Sequence, residues 1–260
     1  MLRPRITPCL LVHKAGLVKT VGFKVPKYVG DPINAVKIFN EKEADELIVL
    51  DIDATVNNAE PDYRMIANLA AECRMPLCYG GGIKTPEQAK RIVSLGVEKV
   101  AISSAAVENP SLITQIADEI GRQSVVVVLD VKKRMFGKDY DVFTKNARIN
   151  TKRSVFDLAV EAEKSGAGEL VINSIDLDGA MLGYDLVLAE RIRRTVSIPI
   201  TILGGAGSLS DLDALIRTCG VVGAAAGSLF VFKGVYKAVL ISYPTLAQRD
   251  ELTSSLRYKN

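Results

Sequence analysis

The stretch YGGGIKT, Tyr79–Thr85, returns 124 residues further on as LGGAGSL, Leu203–Leu209. Around each copy the likeness extends: Tyr79–Ala105 aligns with Leu203–Leu229, and Asp51-Ile-Asp53 aligns with Asp176-Leu-Asp178. A repeat at half the chain length, with no low-complexity stretch or linker between the copies, predicts one domain over residues 1–260 made of two fused halves. Working outward from the glycines, short runs rich in Val, Ile and Leu recur at 5–12, 46–52, 75–81, 98–103, 124–130, 169–175, 198–204 and 221–227. Continuous apolar runs of this length are the mark of parallel strands buried on both faces. Between them lie helical segments such as 31–44, 85–96, 110–121, 154–166 and 185–195, several closed by a glycine, with Thr85 and Gln88 spaced as a capping box. Eight strand–helix units in about 250 residues predict a (β/α)8 barrel of TIM type, in preference to a doubly wound sheet.

The bulk composition narrows the partners. The 260 residues carry 33 basic and 30 acidic side chains, a net charge of +3, and no basic block that would suggest a nucleic-acid face. The cysteines, Cys9, Cys73, Cys78 and Cys219, lack metal-ligand spacing, and His13 is the only histidine, so neither a metal site nor a disulfide framework is expected. No cofactor is expected either. The N-terminus MLRPRITPCLLV lacks the pattern of a cleaved leader, and no run approaches the roughly 20 apolar residues of a membrane span, which reads as a cytoplasmic protein without membrane contact.

Glycines at a barrel strand end let the backbone approach a ligand, and the following helix start offers unpaired N–H groups. In such barrels a phosphate commonly sits on the loops after strands seven and eight, here Gly204, Gly205, Gly227 and Ser228. By the repeat, the loops after strands three and four, with Gly81, Gly82, Ser103 and Ser104, form a second cradle, and Asp178 and Gly179 join the first. Two cradles facing one mouth predict a ligand with a phosphate at each end. The alternative is that the glycines only permit tight turns. Asp51, Asp130 and Asp176 close strands two, five and six, where barrel enzymes place their chemistry, although a strand-end aspartate can equally cap the next helix. A carboxylate in a partly desolvated mouth is suited to general acid–base work.

These stretches, together with GDPINAVKIFNEKEADELIVLDIDA, SVVVVLDVK and SGAGELVINSIDLDG, resemble the cyclase subunits of imidazole glycerol phosphate synthase over nearly the whole chain. The resemblance implies a (β/α)8 barrel that receives ammonia from a glutaminase subunit docked at the barrel bottom, as a heterodimer. The ammonia would react at the top with a bis-phosphorylated ribulosyl aminoimidazole carboxamide nucleotide. It also implies an ammonia gate at Arg5, Glu46, Lys99 and Glu169, and catalytic positions at Asp130, Lys19 and Asp51. One position departs from the pattern in a way that bears on the chemistry: Leu11 stands where the family has its first catalytic aspartate. Ser103, Ser104, Leu177, Ala180 and Leu203 replace Asn, Thr, Arg, Thr and Ser. The stretches PCLLVHKAGLVKT and KYVGDPINAVKIFNEKE are similar to second copies from surface-polysaccharide gene clusters, including lipopolysaccharide clusters. Such copies are thought to pass ammonia to a separate enzyme. The sister sugar-phosphate isomerases share the half-barrel repeat, but they too need both aspartates and have no need of the gate.

Overall fold

The computed structural model describes residues 3–135, 137 and 139–254. The expectation of one domain over residues 1–260 reaches the two ends, parts of which lie outside the described residues. Eight parallel strands form the centre: β1 Arg5–His13, β2 Leu47–Asp51, β3 Leu77–Gly80, β4 Lys99–Ile102, β5 Val125–Lys133, β6 Glu169–Ser174, β7 Ile200–Leu203 and β8 Gly223–Ala226. They pair in chain order, β8 returns to β1 through Arg5↔Gly223 to Pro8↔Ala226, and β5 joins β6 through Glu169↔Val126 to Ser174↔Val131, so the barrel closes. These are the eight runs expected from the sequence, with ends moved by up to three residues.

The covering helices are α1 Pro32–Glu41, α2 Tyr63–Glu72, α3 Pro86–Ser94, α4 Ser111–Ile120, α5 Val155–Ser165, α6 Leu186–Thr195, α7 Leu209–Cys219 and α8 Leu246–Ser254. Their ends follow local chemistry. Thr85 and Gln88 form the anticipated capping box, the Thr85 hydroxyl accepting from the Gln88 N–H at 3.3 Å and the Gln88 side chain accepting from the Thr85 N–H at 3.2 Å. At the other end of a helix, Gly166 closes α5 in the left-handed conformation, φ 108°.

Strand parity sorts the side chains. Ile6, Leu10 and Val12 of β1, Leu47 and Val49 of β2, and Leu170 and Ile172 of β6 point outward into the core shared with the helices. Burying each such side chain contributes about 1.5–3 kcal/mol, so this outer shell supplies most of the stability. The opposite parity fills the lumen with a smaller cluster: Cys9, Ile48, Cys78, Ala101, Val126, Val128, Val171, Leu203 and Ala225, with Leu11 and Leu50 at its upper edge.

Three antiparallel hairpins stand beyond the strand ends: Gly16–Val21 with Lys24–Gly30, Tyr140–Thr144 with Ile149–Ser154, and Phe232–Lys233 with Ala238–Val239. They were not among the sequence expectations. Lys24–Gly30 and Ile149–Ser154 are mostly exposed on both faces, so they bury too little to leave an apolar period in the sequence.

Candidate functional site

At the matched positions of the repeat, Gly81 and Gly205 have φ of 129° and 109°, values that only glycine adopts without strain. Each also lies against backbone: a Cβ on Gly81 would stand 2.6 Å from the Asp51 carbonyl, and one on Gly205 would overlap the Gly183 carbonyl. Ser103 and Gly227, also matched, each precede a short helical turn, Ser104–Glu108 and Ser228–Val231. In the ring of strands β3 and β4 lie across from β7 and β8, so the two glycine-rich rims face each other over the mouth.

One cavity opens between them. Its lining includes Gly81, Gly82, Ser103 and Ser104 on one side and Gly179, Gly204, Gly205, Gly227 and Ser228 on the other. Lys19, Asp51, Asp130 and Asp178 line the same cavity. Asp176 does not: it is exposed, accepts from the Lys133 N–H at 3.2 Å and lies 3.7 Å from Lys132 Nζ.

The electrostatics of these groups differ. Burial pushes the Asp130 carboxyl up to about 7, against the opposing effect of a hydrogen bond from Asn173 Nδ2 at 2.9 Å, and the charge of Asp178 adds to the rise. Such a group can give or take a proton near neutrality. Asp51 is also raised by burial, but less freely, because its Oδ1 accepts from the N–H groups of Asp53 at 2.8 Å and Ala54 at 3.1 Å. It therefore fastens the loop after β2 as well as facing the cavity. Lys19 is buried, which lowers its pKa, and its Nζ donates to the Cys9 carbonyl at 2.5 Å. That ammonium lies against Gly227, on the β7–β8 side of the mouth.

Asp178 lines the cavity beside Gly179 and is also bonded to the hairpin formed by Gly16–Val21 and Lys24–Gly30. Its Oδ2 accepts from Thr20 Oγ1 at 2.6 Å and from the Phe23 N–H at 3.1 Å, while its carbonyl accepts from the Gly22 N–H at 3.0 Å. It ties the 16–30 hairpin to the loop after β6 while still lining the cavity. Leu11 is on β1, across the ring from β5, and faces the cavity from the side opposite Asp130.

The lower end of the barrel is closed by charge. Arg5 donates to Glu46 at 2.8 Å and to Glu169 at 2.6 and 3.3 Å, and Lys99 donates to the same two carboxylates at 2.6 and 2.8 Å. Thr201 Oγ1 adds a bond to Glu169 at 2.6 Å. Burial disfavours the charge of Glu169, yet Arg5 and Lys99 outweigh it and hold that carboxyl below its usual range. Between this ring and the cavity the lumen is narrow and largely apolar, with Thr7 Oγ1 buried and without a hydrogen-bond partner.

Sequence reasoning missed Asn173, Lys145 and Asn146, all of which line the cavity. Asn173 was within reach, since it shares inward parity with Glu169 and Val171 and lies in register with Asp130. The other two sit at the turn of a hairpin whose second strand, Ile149–Ser154, is mostly exposed.

Among the described residues no helix is long and apolar enough to cross a membrane. Residues 5–237 match the family described as "Histidine biosynthesis protein". A Vibrio vulnificus protein provisionally named imidazole glycerol phosphate synthase subunit hisF3 is 57% identical over 251 residues, 96% of each chain. A Pseudomonas aeruginosa relative, provisionally named hisF2 of the same synthase, is 55% identical over 96% of this chain and 99% of its own. The imidazole glycerol phosphate synthase subunit HisF of Lactococcus lactis subsp. lactis is 40% identical over 230 residues, 88% of this chain and 89% of its own. With a closed (β/α)8 barrel, a repeated glycine rim and relatives matched along nearly their whole length, this chain belongs to the histidine biosynthesis protein family as a HisF-type subunit.

Proposed function

We propose that the chain is the cyclase-type subunit of a glutamine amidotransferase complex. Ammonia from a glutaminase docked at the barrel bottom passes the Arg5, Glu46, Lys99 and Glu169 ring and crosses the lumen. It reacts at the top with a bis-phosphorylated ribulosyl aminoimidazole carboxamide nucleotide, giving imidazole glycerol phosphate and aminoimidazole carboxamide ribonucleotide. The observation that carries this reading is the convergence of two opposed glycine rims and a carboxyl with a pKa of about 7 on one cavity, at the far end of a barrel whose floor is a ring of paired charges. Gly81, Gly82, Ser103 and Ser104 hold one phosphate; Gly179, Gly204, Gly205, Gly227 and Ser228 hold the other. Asp130 moves the proton, while Lys19 and Asp51 support it.

Leu11 favours a second reading. A hydrocarbon faces the cavity where acid–base catalysis by two carboxylates requires a partner for Asp130. Losing one such group lowers rates on the order of 10²- to 10⁴-fold. On this reading the copy is a weak cyclase, and its main work is to route ammonia to a separate enzyme that amidinates a surface-polysaccharide sugar.

One assay separates the two: turnover of the nucleotide with saturating ammonium, for the wild type and Leu11→Asp. Ordinary wild-type turnover supports the working cyclase. A silent wild type with activity gained by Leu11→Asp supports the ammonia route. No activity in either, with intact folding, defeats the cyclase assignment.

A further inference from the structure

The lining of the cavity contains two lysines among the described residues, Lys19 and Lys145. Lys19 belongs to the β7–β8 side, its Nζ against Gly227. Lys145 is on the other side, at the turn of the hairpin formed by Tyr140–Thr144 and Ile149–Ser154.

That turn is bolted across the mouth. The Lys145 N–H donates to Ser104 Oγ at 3.0 Å, and Asn146 Nδ2 donates to the Ile52 carbonyl at 2.6 Å, so it rests on the loops after β4 and β2 at once. Lys145, Asn146 and Ala147 are three successive non-glycine residues with φ of 54°, 55° and 61°. Left-handed backbone at a lysine and an alanine is strained, and it persists only where the surroundings hold it. The ammonium of Lys145 lies 3.3 Å from Glu108 Oε1, with the two side chains 42% and 54% exposed. An ion pair so open to water contributes little, and a more highly charged anion can displace the carboxylate. A phosphate oxygen makes a stronger charge-assisted bond to such a donor.

We propose that Lys145 is the specificity-determining cation of the β3–β4 cradle: it leaves Glu108 for the phosphate held by Gly81, Gly82, Ser103 and Ser104, so that each end of the ligand meets one lysine. The proposal rests on the two-cradle reading above. It makes the site selective for a ligand phosphorylated at both ends, because a ligand lacking the phosphate at this end leaves Lys145 with Glu108.

The test is calorimetric titration of the full chain with the bis-phosphorylated nucleotide and, separately, with imidazole glycerol phosphate and aminoimidazole carboxamide ribonucleotide, each of which carries one phosphate. Lys145→Gln should weaken the bis-phosphate roughly five- to twenty-fold and weaken only one of the two monophosphates. Glu108→Gln, which frees the lysine, should tighten that same monophosphate about two-fold. If Lys145→Gln binds all three as the wild type does, or weakens both monophosphates equally, Lys145 is not the cation of this cradle. Wild-type protein that binds none of the three removes the cradles themselves, and this proposal with them.

Discussion

Asp130 is the residue whose environment decides the chemistry of the mouth. Its carboxyl, with a folded pKa of about 7 because of burial, resists ionisation that an unfolded aspartate undergoes near 3.9. The folded state therefore binds more protons than the unfolded one between these values, and stability falls as pH rises from about 4 to about 7. The full penalty, at most about 4 kcal/mol for a shift of this size, is felt above pH 7. Asp130→Asn has no charge to bury and keeps an oxygen that can accept from Asn173. It should leave stability nearly unchanged at pH 4 and raise it at pH 8 by about 1–3 kcal/mol, while abolishing cyclase turnover. Denaturant melts at the two pH values and one activity assay check this. A variant equally stable relative to wild type at both pH values would mean Asp130 ionises freely.

At the scale of elements, the 16–30 hairpin shows how a loop becomes part of a site. Its first strand buries Leu17, Val18, Lys19 and Thr20 while its second is mostly exposed, and its position rests on that burial, on the three bonds to Asp178 and on its pairing with β1 through Leu11↔Val18, Val12↔Leu17 and His13↔Gly16. Lys19 lies on it, next to Val18, where that pairing ends. Asp178→Ala removes both side-chain bonds, each worth about 1–3 kcal/mol when it involves a charged acceptor. Hydrogen exchange should then quicken at Gly22 and Phe23 with little change in the barrel strands, and cyclase turnover should fall because Lys19 loses its fixed place. Unchanged exchange across 16–30 would show that the hairpin is held by something other than Asp178. The second strand, Lys24–Gly30, left no trace in the sequence because the register of a strand exposed on both faces is not written in hydrophobic alternation.

Taken whole, the molecule separates a charged floor from a reactive mouth by one barrel length of apolar lumen. The floor is fully paired, so removing one member exposes the rest. In Lys99→Ala, Glu46 and Glu169 share the charge of Arg5, with Thr201 still donating to Glu169, costing about 1–3 kcal/mol, less than a wholly enclosed pair because Lys99 keeps 19% of its side chain exposed. The depressed Glu169 carboxyl adds stability above its unfolded pKa and loses it as pH falls through the folded value. Weakening the ring raises that folded value, so the variant should begin to lose stability at a higher pH than the wild type during acid titration. With a glutaminase partner present, the same variant should change the ratio of glutamine hydrolysed to ammonia used. An unaltered ratio would count against passage through the floor.

The sequence by itself determined the barrel, because eight runs buried on both faces and a repeat of half the chain length leave few ways to hide so much apolar surface. It also placed the glycines of both rims, since positive φ at a strand end has few residue types to choose from, and it exposed Leu11 as a hydrocarbon where the repeat holds Asp130. Tertiary structure alone decided what each polar group faces. It turned Asp176 out toward Lys132 while keeping Asp51 at the cavity, although the two occupy matched places in the repeat. It tied Asp178 to a hairpin, set Lys19 beside Gly227, and carried Lys145 across to Ser104. The difference is physical: burial of apolar surface is additive along a chain and leaves a period, whereas the role of a charge depends on which few atoms lie within about 3 Å of it, and those come from segments far apart in sequence.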